Sequence, residues 1–117
     1  MDDALFRTML FDFYGELLTE KQKQYFDWHY NDDLSLAEIG ESEGISRQGA
    51  WDMIRRAEEN MRRYEEKTGL VARFSKEKET VAAALALNER LLSRTDGESR
   101  QLAQELFGLL QELSHGI

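Results

Sequence analysis

The 117-residue chain contains no proline, so no backbone donor is missing and no ring forces a kink, and one periodicity is free to run almost unbroken. Apolar residues recur at spacings of three and four throughout, and no stretch alternates with period two long enough to form a strand. These two features together predict an all-α protein. Punctuation then falls to glycine and to Ser, Thr and Asp caps.

The first helix is expected over residues 3–17, with Phe6, Leu10, Phe13 and Leu17 on one stripe and Leu5, Met9 and Tyr14 widening it. Thr19 with Gln22 reads as a capping box, opening a helix that turns Tyr25, Phe26, His29 and Tyr30 inward and ends at "NDD". Ser35 with Glu38 repeats the box for a short helix carrying Leu36 and Ile39. Gly44 supplies the positive φ of a tight turn, Ile45 is expected to look inward, and Ser46 caps a long helix. The core stripe of that helix reads Ala50, Met53, Ala57, Met61 and Tyr64 and closes near Gly69. Short helix, glycine turn, long helix is the helix-turn-helix order.

Beyond it, two helices are expected at about residues 76–94 and 97–115, split at "SRTDGES", the second with a heptad-like seam of Leu102, Leu106, Leu109 and Leu113. The preceding helix offers few large apolar residues to cover this seam, so part of it is left for a second subunit. The expected organisation is therefore a helix-turn-helix domain over residues 1–70, braced by the N-terminal helix, and a helical extension over 71–117 that serves as a dimerisation element.

Charge narrows the function. The formal net charge is -8 and the pI about 4.8, so the molecule as a whole lacks the electrostatic footprint of a nucleic-acid binder. The charge is uneven, however: residues 1–45 carry -8, residues 46–78 carry +3 and residues 79–117 carry -3. Only the segment holding the candidate recognition helix is net positive. Absence of cysteine removes disulfides, thiolate metal sites and a thiol nucleophile. The N-terminus opens with acids and the longest apolar run, "VAAALAL", is far too short to span a bilayer, which points to a cytoplasmic protein without a membrane partner.

Searching for chemistry returns little. His29 lies on the inward line of its helix as a core histidine, and His115 falls in the last, solvated residues. The serine-to-lysine spacing of "SKEK" is better explained by Ser75 capping a helix, and the paired acids of "YNDDLS" lack the glycine and twelfth-position glutamate of a calcium loop. No enzyme, metal or cofactor is expected. The binding candidates are Ser46, Arg47, Gln48, Trp51 and Arg55; Arg47, Trp51, Arg55 and Arg62 fall near one exposed line, where arginines flanking an aromatic suit phosphates and a stacked ring. Against this stand helix pairs that would neutralise the face: Asp52 with Arg56, Glu58 with Arg62 and Glu59 with Arg63.

The run "LLTEKQKQYFDWHYNDDLSLAEIGESEGISRQGAWDMIRRAEENM" resembles DNA-binding region four of bacterial sigma factors through "LTEKQ", "LSLAEI" and "GISR". With "MLFDFYGELLTEKQ" upstream and "YEEKTGL" downstream, residues 5–74 look more particularly like the YlxM family of small bacterial helix-turn-helix proteins linked to the signal recognition particle. The sigma resemblance implies base and phosphate contacts at Arg47, Gln48 and Trp51, although Gly49 and Trp51 replace basic residues of that pattern and Asp52 adds an acid. The YlxM resemblance implies a non-enzymatic regulatory or adaptor role in the particle's pathway, with its RNA or its GTPase as partner. The alternative is a sequence-specific DNA-binding transcription regulator using the same helix.

Overall fold

A computed structural model describes residues 2–116. Six helices follow one another: α1 (Asp3–Tyr14), α2 (Glu20–Tyr30), α3 (Leu36–Glu43), α4 (Arg47–Thr68), α5 (Leu70–Leu92) and α6 (Gly97–His115), with one 3-10 turn (Gly15–Leu17) after α1. The described residues include no strand. The chain divides into two compact units, Met1–Val71 and Ala72–Ile117.

In the first unit α1, α2 and α3 each pack on α4. The core is Leu10, Tyr14, Tyr25, Phe26, Ile39, Ala50, Ile54, Ala57, Met61 and Val71. Phe11 stacks on Phe26 at 5.0 Å between centroids, tying α1 to α2. On α4 the fully buried row is Ala50, Ile54, Ala57 and Met61, with spacings of four, three and four. Ile54 thus belongs to the core, while the expected Met53 and Tyr64 lie half-buried on its flanks.

The inward stripe of α1 differs from the expected one. Leu10 and Tyr14 are buried, whereas Leu5, Phe13 and Leu17 are exposed. The helix ends at Tyr14 and the 3-10 turn changes the rotation per residue, so Leu17 leaves the helical face on which its spacing placed it.

The start of α5 also departs from expectation. Gly69, at φ 63°, ends α4, and Leu70 begins α5 at once. Glu65 receives the Val71 N–H at 2.9 Å and the Tyr14 hydroxyl at 2.6 Å. One orphan donor of the helix start, the Val71 N–H, is therefore met by a carboxylate from the helix before, and Ser75 lies inside α5 instead of capping it.

The second unit is an antiparallel hairpin of α5 and α6. Val81, Asn88 and Ala103 are its buried residues. Asn88 donates from Nδ2 to the Ala103 carbonyl at 3.0 Å, and Arg100 donates to the Leu92 carbonyl at 2.7 Å near the turn. All four leucines of the α6 seam are exposed.

Candidate nucleic-acid or partner interface

The helix-turn-helix is set by its caps. Thr19 and Ser35 both close complete capping boxes, with Gln22 and Glu38 respectively. Hydrogen bonds from the Ser35 backbone and hydroxyl lower the pKa of the Glu38 carboxyl below its usual range. Gly44 ends α3 at φ 70°, and Ser46 receives the Gly49 N–H at 2.9 Å to open α4.

Between the two helices the chain passes very close to α3. A Cβ on Gly40 would stand 2.6 Å from the Ile45 carbonyl oxygen, and the Ile45 N–H donates to the Gly40 carbonyl at 2.9 Å. Only glycine admits this approach. Because the backbone of Ile45 occupies that space, its side chain is carried outward and is 38% exposed, which corrects the expected inward isoleucine.

One carboxylate ties α3 to α2 and another ties α4 to α1. Glu43 of α3 accepts from Lys21 at 2.8 Å and from the Tyr25 hydroxyl at 3.0 Å, and these bonds lower its pKa. Burial first, and then the Glu43 bond, raises the Tyr25 pKa. Glu58 of α4 accepts from Arg7 of α1 at 2.6 Å and from Arg62 at 3.1 Å. Burial alone would raise its pKa, but the two guanidiniums outweigh it and the net shift is downward. Arg7 also lies 4.5 Å over the Tyr30 ring and Arg62 5.0 Å over Phe6. Arg62 is therefore engaged toward α1 and does not continue an exposed line from Arg47.

The five candidate residues are brought to the start of α4, where they do different work. Ser46 is the cap. Arg47 is exposed and, among the described residues, its side chain has no ion pair or hydrogen bond. Gln48 donates to Asp52 at 3.1 Å. Arg55 pairs with Glu59 at 2.5 Å and lies 3.9 Å from Asp52. Of the three expected helix pairs, only Glu58 with Arg62 forms as written; Asp52 is taken by Gln48 and Arg55, Glu59 by Arg55, and Arg63 turns to Asn60 at 2.5 Å.

Trp51 is half-buried, packs against the core cluster and meets His29 edge-on at 6.4 Å between centroids. The expectation that it stands clear of the core is corrected. It lies about 100° round from Ala50, close enough to the core side for α2 to cover part of the indole. His29 itself is half-buried and donates from Nδ1 to the Leu34 carbonyl at 2.8 Å. No acid occupies the first turn of α4, so its free N–H groups and Arg47 present positive potential to an anion. No cluster of three metal-ligating side chains occurs among the described residues, nor does any described helix have the length and apolarity to cross a membrane.

A family model described as "UPF0122: Putative helix-turn-helix protein, YlxM / p13 like" matches residues 1–106. The chain belongs to the UPF0122 family. It is 40% identical to a UPF0122 protein of Halalkalibacterium halodurans over 113 residues, covering 97% of this chain and 95% of that relative. A UPF0122 protein of Caldanaerobacter subterraneus is 56% identical over 70 residues, where this chain covers 60% of the relative's length. A third, from Desulforamulus reducens, is 37% identical over 105 residues, covering 90% of this chain and 87% of the relative.

For this UPF0122 chain two features of the helix-turn-helix are not apparent from spacing, the close approach at Gly40 and the unengaged Arg56. Gly40 has no local signal beyond being a glycine inside a helix, and its role emerges only when the turn folds back on it. Arg56 is exposed and also has no ion pair or hydrogen bond among the described residues. Its assignment to Asp52 by spacing had removed it from consideration.

Proposed function

We propose that this is a cytoplasmic, non-enzymatic regulatory or adaptor protein of the signal recognition particle pathway. It touches the particle's RNA or its GTPase through the first turn of α4 and works as a homodimer joined by residues 71–117. The pathway is what the YlxM resemblance implies. The observation that carries the mode of action is the start of α4, which is exposed, free of acids and bears an unpaired Arg47.

The same surface argues against strong, sequence-specific reading of a duplex. Gln48, the other polar side chain suited to a base edge, is held by Asp52, and Arg55 is held by Asp52 and Glu59. Few phosphates can be neutralised, and the net charge of -8 opposes the approach of a polyanion. Each neutralised phosphate adds about -0.9 to the slope of log affinity against log salt on duplex DNA, so a shallow slope is expected.

Fluorescence anisotropy against generic duplex DNA, signal recognition particle RNA and the particle's GTPase, across a salt series, tests the proposal. The expected result is selective binding of the RNA or the GTPase, weakened about tenfold by Arg47→Ala, with weak and salt-fragile duplex binding. Tight, sequence-selective duplex binding with a slope steeper than about -5 would overturn it in favour of a DNA-binding transcription regulator.

A further inference from the structure

Each helix of the second unit carries two apolar rows, not one. On α6 the row turned toward α5 is Ala103, Phe107 and Leu110, buried or half-buried, whereas Leu102, Leu106, Leu109 and Leu113 are 43–63% exposed. The rows differ by one residue, or about 100°. On α5 the same offset recurs: Asn88 is buried and Leu92 half-buried, while Leu87 and Leu91, each one residue earlier, are more than half exposed.

Since the two helices run antiparallel, a step of one residue toward the N-terminus rotates both rows to the same side of the hairpin. The six leucines make a single face, two helices wide. It continues into a groove of about 1150 Å³ where Arg73, Lys76, Glu77 and Thr80 of α5 meet Leu109 and Leu113 of α6.

The outer borders of this face carry opposite charge. One residue before Leu106 and Leu113 come Glu105 and Glu112, and Glu98 extends the row at the same seven-residue interval. The corresponding border of α5 carries Lys76 and Arg90, two heptads apart, with Glu79 between them, so its net charge is positive. All six are exposed, and none has a salt bridge among the described residues.

A second copy can lie on this face about a two-fold axis in either of two ways. With the axis across the helices, α5 lies on α5 and the basic borders oppose each other. With the axis along the helices, α5 of one copy lies antiparallel on α6 of the other, and each border of net positive charge meets an acidic one, Lys76 and Arg90 supplying the attraction and Glu79, level with Glu112, opposing it. The register supports the second arrangement. Taking Asn88 as level with Ala103, a rise of about 1.5 Å per residue sets Leu87 beside the gap between Leu102 and Leu106 of the second copy. The small Thr80 falls beside the gap between Leu109 and Leu113, so α6 side chains enter spaces on α5 as knobs enter holes.

The geometry points to a homodimer in which the two α5–α6 hairpins form a four-helix bundle, with the leucine face as its core and the Lys76/Arg90 border of each copy on the Glu98/Glu105/Glu112 border of the other. Six half-exposed leucines bring on the order of 600 Å² per copy, near the roughly 800 Å² per partner of a standard interface. The inference rests on the homodimer reading given above and adds its surface, orientation and register.

Light scattering and sedimentation equilibrium on the full chain test it, with helicity monitored by circular dichroism. The native protein is expected to be a dimer at micromolar concentration. Leu106→Glu with Leu109→Glu, both exposed in a single copy, gives a helical monomer. Lys76→Glu with Arg90→Glu weakens the dimer about tenfold or more, and adding Glu105→Lys with Glu112→Lys restores it. A monomeric native protein at high micromolar concentration overturns the homodimer reading itself. A native dimer that persists in the leucine variant, or that ignores the charge reversals, overturns this face and orientation while leaving the homodimer intact.

Discussion

Replacing Gly40 by alanine sets two effects of opposite sign against each other. Inside a helix, Gly→Ala lowers the entropy of the unfolded chain and stabilises by about 0.5–1 kcal/mol. At Gly40, however, the new Cβ would stand 2.6 Å from the Ile45 carbonyl oxygen, with the Ser46 carbonyl carbon and Arg47 nitrogen at 3.4 and 3.5 Å. All three are backbone atoms of the turn, so no side chain can rotate away. Relief requires the turn to move off α3, which strains the Ile45 N–H bond to Gly40 and the Ser46 cap behind it. Overpacking of this kind costs about 1–3 kcal/mol, and a rigid partner places it at the upper end. The net expectation is destabilisation by about 2 kcal/mol, a fall in Tm of roughly 8–15 °C for a unit of this size. Gly108 of α6 is the control: nothing lies within 4 Å of its Cβ position, so Gly108→Ala is expected to raise stability by about 0.5–1 kcal/mol. Thermal and urea unfolding followed by circular dichroism read both variants. A Gly40→Ala protein as stable as the native one would refute the close approach as the reason for glycine there.

Glu58→Gln is expected to lose about 1 kcal/mol at neutral pH, since the Arg7 and Arg62 bonds become neutral–cation bonds. Because the folded pKa of Glu58 lies below the ordinary 4.5, its contribution is fully present above that value and disappears as pH falls through the folded pKa; the stability gap between native and Glu58→Gln proteins, measured by urea melts, should therefore be full at neutral pH and close only in acid, below the range where an ordinary glutamate titrates. Trp51→Ala removes an indole packed on the core and on His29, with an expected loss of about 2–4 kcal/mol. An unchanged Tm would show that the indole is not part of the core cover.

What was legible in the sequence follows the range of the interaction. The capping boxes at Thr19–Gln22 and Ser35–Glu38, the Ser46 cap and the left-handed Gly44 and Gly69 are all closed within a few residues, and each could be read from spacing alone. The all-α fold and the order of its helices follow from these signals and from the absence of proline. Errors arose wherever the deciding partner is distant. The Val71 N–H at the start of α5 finds Glu65, five residues before Leu70, so Ser75 lies inside the helix and is not its cap. Ile45 turns outward because Gly40 receives its backbone. The ion pairs of α4 were misassigned for the same reason, since i, i+4 spacing allows several partners for Asp52 and Glu59 and only the rotamers choose between them. The candidate residues and their place at the start of α4 follow from the Ser46 cap, but which of those side chains remain unengaged does not follow from spacing.

That last distinction bears on what the helix-turn-helix of an acidic chain presents to solvent. The excess of +3 over residues 46–78 does not spread evenly along α4. Glu58 is neutralised by Arg7 and Arg62, Asp52 and Glu59 by Arg55, and Glu65 is turned to Tyr14 and Val71. Glu58 and Glu65 anchor this helix, and the cations that its paired acids engage are no longer available to a partner. Arg63 and Lys67 toward its C-terminal end are exposed without an acid partner among the described residues, and the exposed cations nearest the turn that lack one are Arg47 at the helix start and Arg56 one turn beyond Asp52. These two stand roughly 180° apart around the helix, so they cannot grip one phosphate together. A single strong cation beside an N-terminal dipole suits a local anionic feature, such as one phosphate or a carboxylate on a folded partner, better than the repeating charge of a duplex. On the proposed function, the repulsion from the remaining acids of the chain would oppose contacts made only by charge and leave those supported by shape and by the half-buried Trp51.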